Sequence, residues 1–241
     1  MNSLIQTAKE NVAFLGISLI VIIGIFLIAW ISERLIRKNK GRNSGVGRTR
    51  KIAVTGMFSA IAVVLMLFEI PLPFAPSFYE IDFSEVPVLI CSFALGPVAG
   101  VITELCKVLL KLVITGTTTA FVGDLANFIV GCSMVLPASI IYWVRKSKKG
   151  AIIGLVSGTV IMTVFGSLFN AVYLLPKFAQ LYGMPMDALI GMGTAINSSI
   201  TSVSTLVLYA VVPFNLLKGG LLFIITTLLY KHVSPLIKGH H

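Results

Sequence analysis

Apolar residues run along this chain in stretches of about twenty, separated by short clusters of charge, proline or glycine, a pattern that predicts a bundle of about seven hydrophobic helices. A bilayer core needs ~20 mostly apolar residues per helix, and the first such run is Val12 to Ser32. The second is Ile52 to Ile70. Apolar sequence then continues from Val86 to Ile114, too long for one ordinary crossing; Gly96-Pro97 divides it, since proline disfavours helix at the residue before it. Two spans joined by a tight turn are expected there. The fifth span is Phe121 to Val144, the sixth Ala151 to Leu175, and the last about Val212 to Tyr230. Between the last two, Pro176 to about Tyr209 reads as a long excursion with a Gly-Met-Pro-Met-Asp break, its latter half apolar enough to dip into the membrane. The first run reads as a retained helix and not a signal peptide, because its basic residues follow the apolar stretch and no small-residue cleavage site closes it.

Charge gives the bundle a direction. The segment Glu33 to Lys51 holds Arg34, Arg37, Lys38, Lys40, Arg42, Arg48, Arg50 and Lys51 against one acid. Arg145, Lys146, Lys148 and Lys149 follow the fifth span, and Lys231 and Lys238 follow the last. These three clusters fall on one side and carry fourteen of the nineteen Lys and Arg residues. The other side has only Lys9 and Lys177, and its segment Pro71 to Glu85 carries the acids Glu80, Asp82 and Glu85 with no base. By the positive-inside rule the basic side is cytoplasmic, which puts the N-terminus outside and the C-terminus inside.

Composition agrees: 56% of residues are hydrophobic and 12% charged, with a mean hydropathy of +0.97. A soluble domain of any size has no place in such a chain. The formal net charge of +10 does not imply nucleic acid, because the bases sit between apolar runs and not along one polar surface. Cys91, Cys106 and Cys132 all lie within apolar runs and lack metal spacing, so they read as small hydrophobes. His232 lies near a membrane exit, and residues 239–241 (Gly-His-His) read as a tag remnant. No metal site and no cofactor is expected.

Polar groups inside spans are costly and each needs a reason. Glu104, Lys107 and Lys111 follow i, i+3, i+7 spacing and share a face, which allows Glu104 and Lys107 to pair, either as a structural ion pair or as part of a site. Asp124 and Asn127, Asn170 and Tyr173, and Asn215 and Lys218 repeat a three-residue spacing on the last three spans. Taken singly, each Asn reads as an interhelical hydrogen bond. Taken together they suggest a polar cavity opening outward, walled by aromatics such as Phe74, Phe78, Tyr79, Phe83 and Phe214. An interfacial aromatic belt explains many of those rings equally well. On the second span Ala53, Gly56 and Ala60, with Ser59 nearby, form a lipid-facing strip of small residues that admits a partner helix.

Four segments carry a resemblance: Ile81-Asp-Phe-Ser-Glu-Val-Pro, Ala94-Leu-Gly-Pro-Val-Ala-Gly, Gly123-Asp-Leu-Ala-Asn-Phe and Val212-Pro-Phe-Asn-Leu-Leu-Lys-Gly219. In this order, over roughly residues 48 to 235, they resemble the riboflavin-binding S component of energy-coupling factor (ECF) vitamin transporters. The resemblance implies an all-α, six-helix membrane bundle that binds a vitamin from outside. It hydrolyses nothing itself, and it docks on a membrane scaffold protein carrying two cytoplasmic ATPases. It implies that Asn215 and Lys218 contact the flavin with Asn170, that the loop around Asp82 to Glu85 acts as a lid, and that Gly56 and Ala60 meet the scaffold. Residues 1–47 then hold an extra transmembrane helix and a basic linker, and 48–238 the six-helix domain. The extra helix and the long outer segment depart from the family pattern, leaving another vitamin or a flavin nucleotide as alternative ligands.

Other classes fare less well. No nucleophile–base set and no HExxH or GxSxG motif supports an enzyme. A self-contained secondary transporter usually shows inverted repeats, and none is clear. The chain has no GxxxxGK[ST] loop, so ATP-driven transport requires another polypeptide.

Overall fold

Each apolar run is helical in the computed structural model, which describes residues 2–41, 45–76, 78–117 and 119–238. Residues 239–241 and Arg42 lie outside the described residues, as do the side chains of Lys9, Lys231, His232 and Lys238. Helix α1 (Asn2–Lys40) extends well past its apolar stretch, since the Glu, Arg, Leu and Lys residues after Ser32 are good helix formers. Helix α2 (Arg48–Met66) begins before Ile52 and stops short of the expected Ile70. There the chain turns out as strand β1 (Ile70–Pro71), which pairs antiparallel with β2 (Glu80–Ile81), Ile70 opposite Ile81.

Helices α3 (Glu85–Leu95) and α4 (Pro97–Thr115) meet at Gly96, whose φ of 124° and ψ of 166° suit only glycine. Pro97 follows at the first helical position, where its missing N–H costs nothing. The turn between two helices is as expected, but α3 is not a full crossing. Its 11 residues span roughly 16 Å, about half a bilayer core. All eleven are buried, so α3 is an interior helix.

Helix α5 (Val122–Val144) is followed by α6 (Lys148–Phe169), which does not stop at Leu175. A π turn, Asn170–Leu174, carries it into α7 (Leu175–Leu181). Pro176 sits in the first turn of α7, where the widened turn has already broken the ordinary hydrogen-bond ladder. Helix α8 (Met186–Thr194) and the short α9 (Val203–Leu206) lead through a second π turn, Val207–Val211, into α10 (Val212–Lys238). The last helix thus begins before Val212, and the expected excursion from Pro176 to Tyr209 shrinks to a connection centred on α8.

Among the described residues, five helical stretches are long and apolar enough to cross a membrane: Gly16–Lys40, Arg48–Met66, Val122–Val144, Lys148–Leu181 and Val203–Tyr230. Helix α4 has the length, but its three charged residues, Glu104, Lys107 and Lys111, set it apart from those five.

Small residues bring the helices close. A Cβ on Gly154 or Gly158 of α6 would come within 2.6 Å of the Ala138 or Met134 carbonyl oxygen of α5. Trp143 and Ser139 of α5 both donate to the Ser92 carbonyl of α3, at 3.0 and 3.3 Å. Helix α1 packs against α4 and α5 through Ala29, Val101, Val108 and Phe128. Its Glu33 Oε2 accepts from the Val98 backbone N–H at 3.1 Å, capping α4 from a second helix. That carboxylate lies over Gly96, where a Cβ would stand 2.6 Å from Oε2.

Candidate functional site

At the end of α3 away from the Gly96 turn, the Asp82-Phe-Ser-Glu85 segment enters the bundle and faces α4 and α10. Lys218 Nζ of α10 lies 3.0 Å from Asp82 Oδ2 and 3.3 Å from Glu85 Oε1. Lys107 Nζ of α4 lies 3.3 Å from that same Glu85 oxygen and 2.7 Å from Glu104 Oε1, and it donates to Ser84 Oγ at 3.0 Å. The Ser84 N–H donates to Asp82 Oδ1 at 2.8 Å and fixes the turn. Three carboxylates therefore share two ammonium groups, and Glu85, Glu104 and Lys107 are at most 2% exposed. Room for Glu104 comes from Gly131 of α5, where a Cβ would overlap its carboxylate. Burial alone would raise the Asp82 carboxyl, but the Lys218 and Lys107 charges and the Ser84 hydrogen bonds outweigh it and hold the group well below the usual carboxylate range.

Asn215 lies one turn before Lys218 and is 3% exposed. Its Nδ2 would stand 3.3 Å from a Cβ on Gly166 of α6, so it rests on the turn whose carbonyl accepts from Asn170 Nδ2 at 2.8 Å. The Tyr79 hydroxyl, from the loop between β1 and β2, donates to Asn170 Oδ1 at 2.9 Å. The Tyr79 ring packs on Phe214 at 5.4 Å, tying that loop to both α6 and α10. Seven buried side-chain polar atoms have no hydrogen-bond partner among the described residues; those in this cluster are Glu85 Oε2, Asn215 Nδ2 and both oxygens of Glu104, one of which still pairs with the Lys107 charge. An acceptor and a donor left unpaired in a dry interior are costly, and each calls for an explanation.

Of the residues singled out in the sequence, Asn170, Asn215, Lys218 and Glu85 come together here. Phe83 is half-buried between the two largest apolar clusters, beside them. Asp124 is engaged elsewhere: its Oδ2 accepts from Thr117 Oγ1 at 2.7 Å, and Thr117 also accepts from the Phe121 N–H, where the chain takes a left-handed φ of 67°. Asn127, one turn on, is half-buried on α5. Tyr173 stacks on Phe169 at 5.1 Å along α6. Ala53, Gly56 and Ala60 are exposed along one side of α2. Glu104 and Lys107 pair as their spacing allows, but Lys111 pairs with Glu69 at 2.5 Å. The central place of Lys107 escapes sequence reading, because its link to Glu85 spans 22 residues and follows no helical period.

Residues 50–230 match a family described as ECF transporter, substrate-specific component. The chain is 33% identical over 192 residues to a riboflavin transporter, FmnP, of Bacillus subtilis, covering 79% of this chain and 95% of that one. It is 34% identical over 200 residues to a riboflavin transporter, RibU, of Staphylococcus aureus, covering 83% and 98%. A solved structure described as the S component of a bacterial ECF transporter superposes with a TM-score of 0.62 at 35% identity, covering 80% of this chain and all of that one. Motif order, helical bundle and matched length agree, and the chain belongs to the substrate-specific S components of ECF transporters.

Proposed function

We propose that this chain binds riboflavin from the outer side of the cell membrane and delivers it inward as the specificity subunit of an ECF transporter. Energy for the cycle comes from two separate cytoplasmic ATPases held by a membrane scaffold protein. The observation that carries the ligand is the unpaired pair Glu85 Oε2 and Asn215 Nδ2 beside Lys218. The edge of an isoalloxazine ring alternates carbonyls with N–H, so it needs donors and an acceptor side by side. Asn215 and Lys218 supply donors, and Glu85 supplies the acceptor. Asn170 and Tyr79 hold the outer loop against α6 above them, and Phe214 and Phe83 offer apolar walls. The two relatives, both riboflavin transporters, support the same vitamin.

The small strip Ala53, Gly56 and Ala60 fits the scaffold contact, since a Cβ at Gly56 would meet nothing within 4 Å and a second helix can approach closely there. The basic end of the bundle is the cytoplasmic one on this reading. The test is an absorption spectrum of the detergent-purified protein together with uptake in liposomes. A bound flavin chromophore, and uptake only with scaffold and ATPases present, are expected. A colourless protein that also fails to take up added riboflavin would refute the ligand, and uptake by the chain alone would refute the division of labour.

A further inference from the structure

Helix α1 leans on α4 and α5 and leaves a groove on its other side, walled by α1 and α2 and floored by α4, with a volume of about 970 Å³. Its charge lies at one end, where α1 brings Glu33, Arg34 and Arg37 and α2 brings Lys51. Glu33 is committed, since it caps α4 at Val98 and pairs with Arg37. Arg34 stacks over the Trp30 ring at 5.1 Å, and Lys51 has no ion-pair partner among the described residues. Two cations are left facing one mouth.

The remainder of the groove is hydrocarbon in character. Side chains such as Ile52, Leu95, Ile102, Leu109 and Leu110 line it. Its hydroxyls are satisfied within the protein: Ser59 Oγ donates to the Thr55 carbonyl at 2.8 Å, and Thr55 Oγ1 takes the Cys91 thiol at 4.0 Å. Between Val98 and Leu110, both on the groove floor, α4 rises about 18 Å, slightly more than one leaflet of a ~30 Å core. A cationic mouth at the membrane surface and an unbroken apolar channel one leaflet deep describe a molecule with an anionic head and a long acyl chain. The docking strip lies on the adjoining face of α2: Gly56 is at the groove rim, whereas Ala53 and Ala60 are outside it.

We propose that this groove binds one anionic phospholipid of the basic-side leaflet, with its phosphate at Arg34 and Lys51 and an acyl chain along α4. The extra helix, which lies outside the family match, thereby completes a lipid site that α2 and α4 alone do not enclose.

Trp30 gives a direct readout. It lines the groove and is 51% exposed, and the second of the two tryptophans, Trp143, is fully buried. The purified chain is placed in nanodiscs with increasing mole fractions of phosphatidylglycerol or phosphatidylcholine carrying brominated acyl chains, which quench an indole they touch. Half-quenching is expected at a mole fraction of phosphatidylglycerol lower by about fivefold for each cation engaged. The double variant Arg34→Gln/Lys51→Gln should lose that preference. Lys148→Gln/Lys149→Gln removes the same charge from exposed positions at the same end and should keep it. Helicity and melting midpoint establish that the variants are folded, and the wild-type comparison needs no variant. Equal quenching by the two lipids, or a preference that Lys148→Gln/Lys149→Gln also abolishes, would overturn the proposal. So would a groove indifferent to lipid headgroup that is shielded from bromine only by the scaffold subunit, since it would then be a protein dock.

Discussion

Glu85 receives two lysines through one carboxylate oxygen and no protein group through the other. That asymmetry makes charge balance, and not any single contact, the property of the cluster most open to test. Removing one partner of a buried pair typically costs ~3–5 kcal/mol, because the other charge is left uncompensated. Lys107→Met should therefore lower unfolding stability by about that amount, while Glu104→Gln/Lys107→Met, which restores the net charge, should regain much of it. Thermal denaturation in detergent measures both, and a double variant no more stable than the single one would contradict the charge-balance account. Asp82 gives the pH dependence. Its carboxyl is held below its ordinary value by the two lysines, so its stabilisation is complete above the unfolded carboxylate range and is lost only as pH falls through the lower folded value. Stability attributable to Asp82, measured as the difference from Asp82→Asn, should stay constant from pH 8 to about pH 5. That Asn215 and Lys218 share a helical face was legible in the sequence from their i, i+3 spacing. Tyr79 and Lys107 reach their partners across 91 and 22 residues, and no local period encodes such contacts.

The helices were legible from hydrophobic run length, and their interruptions less so. Proline marked the α3–α4 turn correctly because Gly96 beside it can adopt a positive φ. At Pro176 the same residue misleads, since it follows a π turn that has already released the carbonyl a proline cannot serve. The short α3 was hidden as well: an apolar run reports a dry environment, and a helix enclosed by protein is as dry as one in lipid. Close packing of α5 on α6 depends on Gly154 and Gly158. Gly158→Leu should separate the two helices and lower unfolding stability by an amount typical of core overpacking, ~1–3 kcal/mol, read as a fall in the melting midpoint. Gly56 faces open space, so Gly56→Leu should leave the midpoint unchanged. With Ala60→Trp it should block assembly with the scaffold and uptake but spare riboflavin affinity. Loss of affinity in step with assembly would merge two functions that this account keeps on separate elements.

Across the whole molecule, polar and charged groups divide by depth. The basic clusters gather at one end with the groove, and the ion cluster with its asparagines sits toward the other, roughly 16 Å along α3 from the Gly96 turn. On the proposed topology, which rests on the positive-inside rule, the basic end is the cytoplasmic one. A cysteine at exposed Ser199, between α8 and α9, should react with a membrane-impermeant maleimide in intact cells, and one at exposed Ser147 only after permeabilisation. The reverse pattern would invert the topology. The all-α class and family were legible because lipid permits few architectures and the Asp-Phe-Ser-Glu and Pro-Phe-Asn-Leu-Leu-Lys segments are distinctive. What α1 does was not, as a hydrophobic run records only that a helix is buried in something. The central claim is that Asn215 and Lys218 hold a flavin, and riboflavin fluorescence quenching by the purified, monodisperse protein tests it most directly. Wild type should quench to saturation, and Asn215→Ala and Lys218→Ala should each weaken binding by about ten- to a hundredfold, the loss of one buried hydrogen bond worth ~1–3 kcal/mol. Near-native affinity in both folded variants would contradict it.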